Sequence, residues 1–180
     1  MEFDERSCAE RAMNLRAGAT GDQPGPESQQ WPSVAQRIAE ARLRRGVTDA
    51  QVARRLNMTI HSYWDLEHHN DEAFTVASLE KLTALGQILG VEPRSLLLGS
   101  EAKDVIQTVT FGDISARLAE RIAQEATTVE QFGDTIGWDV RPIVTDSQAL
   151  WGYDVEGLYN ICKALGLDWV AALPGLSTVR

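Results

Sequence analysis

Residues 34–70 read VAQRIAEARLRRGVTDAQVARRLNMTIHSYWDLEHHN, and this stretch decides the fold. Residues 114–150 read ISARLAERIAQEATTVEQFGDTIGWDVRPIVTDSQAL and repeat its pattern eighty positions later. The shift pairs Ile38 with Leu118, Thr48 with Thr128, Val52 with Phe132, Leu56 with Ile136, Met58 with Trp138 and Ile60 with Val140. A repeat of this length indicates two domains of common ancestry, and the positions that differ indicate where the copies diverge in function.

The composition predicts a folded cytoplasmic protein. Hydrophobic residues make up 43% of the 180 residues, which is enough for real cores. No apolar run approaches the roughly 20 residues that span a bilayer, and the acidic start MEFDERSCAE does not fit a signal peptide. Cys8 and Cys162 lie far apart, so we expect free thiols in a reducing compartment. We therefore predict no membrane contact.

The net charge of −9 is unevenly distributed. Residues 1–32 carry three basic and six acidic groups, residues 33–99 carry eight of each, and residues 100–180 carry six basic and twelve acidic groups. Affinity for DNA that does not depend on base sequence comes from neutralising phosphates. The acidic second half should therefore not dock on DNA by itself, and its charge favours solubility or a basic partner.

Capping signals divide the first copy into five predicted helices. Ser33 with Gln36 and Thr48 with Gln51 form capping boxes that open helices 1 and 2. Gly46 ends helix 1, and Asn57, which tolerates the left-handed conformation, ends helix 2. Three further helices are predicted: helix 3 at 59–68 after a cap at Thr59, helix 4 at 75–89 on Val76, Leu79, Leu82, Leu85 and Leu89, and helix 5 from Pro93.

The second copy repeats this scheme near residues 114–125, 128–136, 140–147, 154–165 and 168–173, with a fourth helix about one turn shorter. Between the copies, VIQTVTF at 105–111 is either an extended linker or a lone strand that would pair with its mate in a dimer. The predicted organisation is a flexible acidic arm (1–32), a first domain (33–99), a linker or strand (100–112), a second domain (113–175) and a tail (176–180).

Residues 34–99 resemble the helix-turn-helix of the phage repressor and Cro (Xre-type) family. The marks of this resemblance are Arg42, Gly46-Val47-Thr48, Val52-Ala53, Leu56-Asn57-Met58-Thr59, Leu66-Glu67 and Leu89-Gly90-Val91. The resemblance covers over a third of the chain. It implies an all-α fold of two tandem five-helix repressor-like bundles, the second degenerate, and a helix 3 that enters the major groove of DNA.

The positions that would read bases are unusual for that family. They fall on Ile60, His61 and Ser62, with Asp65 one turn on, where Arg, Lys, Asn and Gln are the usual readers. Ile60 would touch a thymine methyl, His61 would donate to guanine and Asp65 would accept from cytosine. Asp49 stands where the family often has Gln, and carboxylates facing phosphates are repelled. The alternative is that helix 3 is kept for packing and that its outer face binds protein.

The phosphate candidates are arginines around helix 3, each of which is otherwise a solvated surface charge. They are Arg37, Arg44, Arg45, Arg54 and Arg55. Arg42 is set apart because the resemblance implies a partly buried ion pair between Arg42 and Glu67. The second copy has Ile122 and Ser147 at these positions, and the loss of both partners fits the cost of stranding one buried charge.

The second copy is a poor DNA reader by sequence. Its helix 3 starts Asp139-Val140-Arg141-Pro142, with Arg141 the single cation among several acids. Four aromatic residues are interface candidates. Most of them are expected in the core, and Trp151, which follows a turn, is the one that would be exposed. The four candidates are Trp138, Trp151, Tyr153 and Trp169. Dimerisation, or capture of a partner or small ligand, is the predicted role of this acidic domain.

Signals for catalysis or for a bound metal are weak. His61, Asp65 and His68 share a helix face, but the first and third lie about 10 Å apart along the axis, too far for one ion. The chain has no nucleophile motif, no Gly-rich phosphate loop and no CxxC. We predict no enzyme, no cofactor and no metal. The leading hypothesis is a homodimeric, double-stranded-DNA-binding transcriptional regulator, and the alternative is an antitoxin-like or adaptor module that does not bind DNA.

Overall fold

The computed structural model describes residues 33–99 and 108–175, and these residues form helices with no strand among them. The first copy contains α1 (Val34–Arg45), α2 (Asp49–Arg55), α3 (Ile60–His68), α4 (Glu72–Thr75), α5 (Leu79–Leu89) and α6 (Pro93–Leu98). The second copy contains α7 (Phe111–Gln124), α8 (Val129–Ile136), α9 (Arg141–Thr145), a 3₁₀ helix (Ser147–Gly152), α10 (Val155–Leu165) and α11 (Trp169–Ala172). The all-α prediction is confirmed for these ranges. The predicted N-terminal arm with Cys8, and the tail at 176–180, lie outside the described residues.

Local capping sets the helix boundaries of the first copy as predicted. Ser33 and Thr48 each form a complete capping box with the glutamine three residues on, and Thr59 accepts the amide of Ser62. Gly46 and Asn57 both adopt the left-handed conformation, with φ of 68° and 51°. The starts of α1, α2 and α3 and the ends of α1 and α2 therefore follow from residues within four positions of them.

The predicted fourth helix was wrong at its start. The loop predicted from His69 to Ala73 contains the short helix α4, in which Ala73 and Phe74 are buried. Val76, predicted as a core position of that helix, is 59% exposed because the chain turns there before the Ser78 cap opens α5. The helical period thus breaks between residues 75 and 79.

The missing turn of the second copy lies in helix 3 and not, as predicted, in helix 4. α5 and α10 each have 11 residues, whereas α3 has nine residues and α9 has five. The shift between the copies is 80 up to α9 and becomes 76 at Leu165-Gly166-Leu167, which matches Leu89-Gly90-Val91. The prediction of 140–147 for this helix is therefore corrected to Arg141–Thr145.

The segment between the copies does not form a strand where it is described. Residues 108–110 have no regular structure, and Phe111 is already the first residue of α7. The Val109 N–H donates to the carbonyl of Ala171 at 3.0 Å, so this amide is bonded within its own chain. Residues 105–107 lie outside the described residues.

Both copies contribute to one contiguous hydrophobic core. The short helix α4 contacts α10, and the 3₁₀ helix contacts α5. Under the shift of 76, α4 corresponds to part of the 3₁₀ helix and α5 corresponds to α10. The two contacts are therefore equivalent, and the copies pack with an approximate two-fold relation.

The junction between the copies confirms this relation at the backbone. Ser78 caps α5, Asp154 caps α10, and these equivalent residues form an antiparallel bridge. The Leu79 N–H donates to the carbonyl of Tyr153 at 2.7 Å. A guanidinium N–H of Arg94 reaches from α6 to the carbonyl of Leu173. The two copies are therefore joined by hydrogen bonds as well as by the shared hydrophobic core.

Candidate nucleic-acid interface

The start of α3 presents a small exposed surface. Ile60 is 55% exposed and His61 is exposed, because both precede the first buried residue of this helix, Tyr63. The hydroxyl groups of Ser62 and Thr59 are 2.8 Å apart, so Ser62 belongs to the helix cap, and Asp65 is half-buried. Of the four base-reading candidates, only Ile60 and His61 are fully presented.

Trp64 organises the three histidines on this helix. Its ring stacks on His68 with centroids 3.8 Å apart, lies parallel to His61 at 6.2 Å and meets His69 edge-on. His68 Nδ1 also lies 2.7 Å from the carbonyl oxygen of Trp64. Trp64 remains 43% exposed, so the outer face of α3 combines aromatic and apolar surface with few charges.

Four of the five phosphate candidates are exposed. Arg44 faces Glu40 at 3.7 Å, and within the described residues no ion pair involves the other three, which are Arg45, Arg54 and Arg55. Arg37 is different, since its guanidinium donates to the carbonyls of Leu96 and Leu97 at 2.7 and 2.6 Å. These bonds tie α1 to the end of α6, so the prediction of Arg37 as a phosphate ligand is corrected to a structural role.

Arg42 and Glu67 form a two-pronged ion pair, with N–O distances of 2.5 and 2.9 Å. Tyr63, which sequence reasoning missed, donates its hydroxyl to Glu67 at 2.6 Å. The hydrogen bond to Glu67 raises the pKa of Arg42, and burial together with the same carboxylate raises the pKa of Tyr63. Because Arg42 is committed to this network, it is not available to a phosphate.

The second copy replaces this network by apolar residues. Ile122 and Ile143 stand where Arg42 and Tyr63 stand in the first copy, and both are buried. The alignment of Ser147 with Glu67 needs correction, because α9 ends at Thr145 and the turn that carries Glu67 is the one that is missing. The Tyr63–Ile143 difference was the signal in the sequence that identifies the third member of the network.

The exposed arginines have no cationic counterparts in the second copy. The four equivalent positions are exposed and hold Gln124, Glu125, Asp134 and Thr135. Over the described ranges the first copy balances eight basic against eight acidic residues, whereas the second has four basic and ten acidic residues. The two equivalent surfaces therefore differ in charge.

A groove of about 430 Å³ lies between α8 and the start of α9. Its lining includes Asp134, Trp138 and Arg141, which correspond to Arg54, Met58 and His61 of the first copy. Arg141 forms a two-pronged ion pair with Asp139, whose hydrogen bonds lower the pKa of Asp139 to about 2.

The aromatic residues predicted as an interface are half-buried and packed within the chain. Trp138 packs on Gly157 and lies 6.1 Å from Tyr153, whose hydroxyl donates to the carbonyl of Asp139. Trp151, predicted to be exposed, meets Phe111 edge-on at 5.1 Å. Trp169 meets Tyr159 in the same way at 6.2 Å. These aromatic contacts all lie within the second copy.

Other candidate sites are not assembled in the described part of the chain. No three His, Cys, Asp or Glu side chains there are grouped to hold a metal ion. Cys162 is buried, and burial raises its pKa to about 12. None of the described helices has both the length and the apolarity to cross a bilayer.

Neither a family model, nor a curated protein, nor a solved structure matches this chain. The interpretation of the surface around α3 therefore depends on its own residues.

Proposed function

We propose that the chain is a transcriptional regulator that binds double-stranded DNA through α3 of a repressor-like first domain. The observation that carries the proposal is the contrast between equivalent surfaces. Exposed arginines at 44 and 45 lie in the last turn of α1 and those at 54 and 55 in the last turn of α2, while the same positions of the second copy are neutral or acidic. Cations retained on one copy alone match the demand of a phosphate backbone.

The contacts follow from exposure and chemistry. Ile60 would lie against a thymine methyl group, and His61 would donate to a guanine acceptor in the major groove. Arg54, which is exposed in the last turn of α2, would contact a phosphate. Ser62 and Thr59 would hold the start of the helix in place through their hydrogen bond.

A direct test uses the full chain in a binding selection from random duplexes at low salt, followed by affinity measurements at several salt concentrations. Arg54→Ala should weaken binding to all sequences alike and reduce the slope of log affinity against log salt by about 0.9. Arg117→Ala is the control, because Arg117 is exposed on the second copy and already faces Glu120. No affinity for any duplex at low salt would contradict the proposal.

The second candidate is a protein-interaction module that keeps this fold without binding DNA. The observation that favours it is the outer face of α3, where Ile60 and Trp64 are exposed beside the half-buried Asp65. Such a face would bury its apolar residues against another protein. In the same selection it predicts no enriched sequence, and it predicts that Arg54→Ala has no effect.

A further inference from the structure

We infer that the second copy serves as a permanently attached partner subunit, so that a single chain binds a non-palindromic DNA site of which only one half is read. This inference rests on the proposed function and deepens it, since it names the class of DNA site. It departs from the homodimer of the hypothesis drawn from the sequence.

The second copy already occupies the surface of the first copy on which a two-fold-related partner would pack. The contacts of α4 with α10 and of α5 with the 3₁₀ helix are equivalent under the repeat. Ser78 and Asp154, the equivalent caps, pair with each other at the centre of the junction. A second chain that used the same surface of the first copy would have to displace the second copy.

The second copy exposes no large hydrophobic residue within the described ranges. The large hydrophobic residues that are exposed within the described ranges all belong to the first copy, and they are Leu43, Ile60, Trp64 and Val76. Ile60 and Trp64 lie on α3, the helix that would enter DNA. A homodimer formed through that face would therefore cover the reading helix.

The second copy also cannot read bases as the first does. α9 has five residues, with Pro142 in its first turn. Arg141, which stands where His61 stands, is paired with Asp139 by two hydrogen bonds. Asp134, Asp139 and Glu130 around it would face phosphates with negative charge. Only one half of the DNA site is then read specifically, and no sequence symmetry is imposed on it.

The experiment combines solution mass, stoichiometry and a binding selection on the full chain. We expect the mass of one chain by light scattering, one chain per duplex in a titration, and an enriched motif without dyad symmetry. The matched variants are His61→Ala and Arg141→Ala. The first should lower discrimination at one base position about tenfold, and the second should leave the motif and the affinity unchanged.

Two results would overturn the inference. One is a palindromic motif occupied by two chains, and the other is a dimer in solution that Ile60→Asp converts to a monomer, which would make α3 a protein interface. Absence of DNA binding would contradict the proposed function and the single-site reading together. The built-in partner would still be judged by the solution mass, so the two failures are distinguishable.

Discussion

Glu67 accepts hydrogen bonds from both Arg42 and Tyr63, and its side chain is only 6% exposed. The intact network of three residues is stable. Removing one member destabilises the protein, because it leaves a buried charge or hydroxyl group without its partner. The second copy avoids that cost with the buried residues Ile122 and Ile143 and the absence of the turn that carries the carboxylate. The two copies therefore solve the same packing problem with different chemistry.

Removing only the cation of the network should destabilise the protein more than removing both of its charges. We expect Arg42→Ile to lower the free energy of unfolding by about 3–5 kcal/mol, because the Glu67 carboxylate loses its counter-charge in a partly buried site. Adding Glu67→Gln should recover most of this loss, since the amide oxygen still accepts from Tyr63 and carries no charge. Denaturant unfolding of both single variants and the double variant measures the coupling. Additive losses would contradict the expected rescue.

At the scale of the element, helix ends in the two copies use different residues at equivalent left-handed positions. Gly46 has φ of 68° and its counterpart Ala126 has φ of 50°, while Asn57 at 51° corresponds to Gly137 at 77°. An L-residue with a Cβ is strained in this region by roughly 1–2 kcal/mol, whereas glycine is not. Each copy therefore has one relaxed and one less favourable helix end.

Exchanging alanine and glycine at these equivalent positions should change the free energy of unfolding in opposite directions. Gly46→Ala should destabilise the protein by about 1 kcal/mol, and Ala126→Gly should stabilise it by a similar amount. A Cβ at Gly46 would meet no atom within 4 Å, so the effect is one of backbone conformation and not of a clash. Denaturant unfolding measures both values.

Gly152→Ala is the control for this pair, because a Cβ there also meets open space and the residue is not left-handed. Its free energy of unfolding should change little. A destabilising Ala126→Gly would show that the chain entropy of glycine outweighs the relief of strain.

The shortened α9 is the other feature of this scale. Losing about one turn from the helix that corresponds to α3 leaves five residues, the first two of which are Arg141 and Pro142. The helices that build the core are kept at full length, as the equal α5 and α10 show. The deletion thus removes the turn that carries the buried residues Leu66 and Glu67 in the first copy, while the lengths of the other core helices are kept.

For the whole molecule, the pairing of the copies makes one core from two repeats. We expect a single cooperative unfolding transition, because neither copy keeps its buried face covered without the other. Circular dichroism follows helices of both copies, whereas three of the four described tryptophans, Trp138, Trp151 and Trp169, report on the second. The two signals should give the same midpoint.

The junction residue Val155 offers the matched variant for this test. It is buried at the start of α10, and Val155→Ala should lower both midpoints together. Two separate transitions, or a shift of the fluorescence midpoint alone, would show that the copies fold independently.

The helices and most of their ends can be read from the amino-acid sequence. Serine, threonine and glutamine caps act on amides three residues away, and Gly46 and Asn57 act on their own backbone, so these features are local and readable. The repeat with its shift of eighty positions and the charge difference between the copies could also be read from the sequence. So could the positions of Arg42 and Glu67, through the resemblance of the first copy to repressor domains.

Which side chains remain exposed to solvent depends on how the helices pack together. The sequence predicted Arg37 to be a surface cation, but its guanidinium donates to backbone carbonyls of α6. It predicted Trp151 to be exposed, but the ring of Trp151 packs on Phe111 of α7. The junction of Ser78 with Asp154 joins residues that are far apart in the chain. Such contacts depend on how whole helices pack, and a pattern of local caps and helical periods carries no information about which faces will meet.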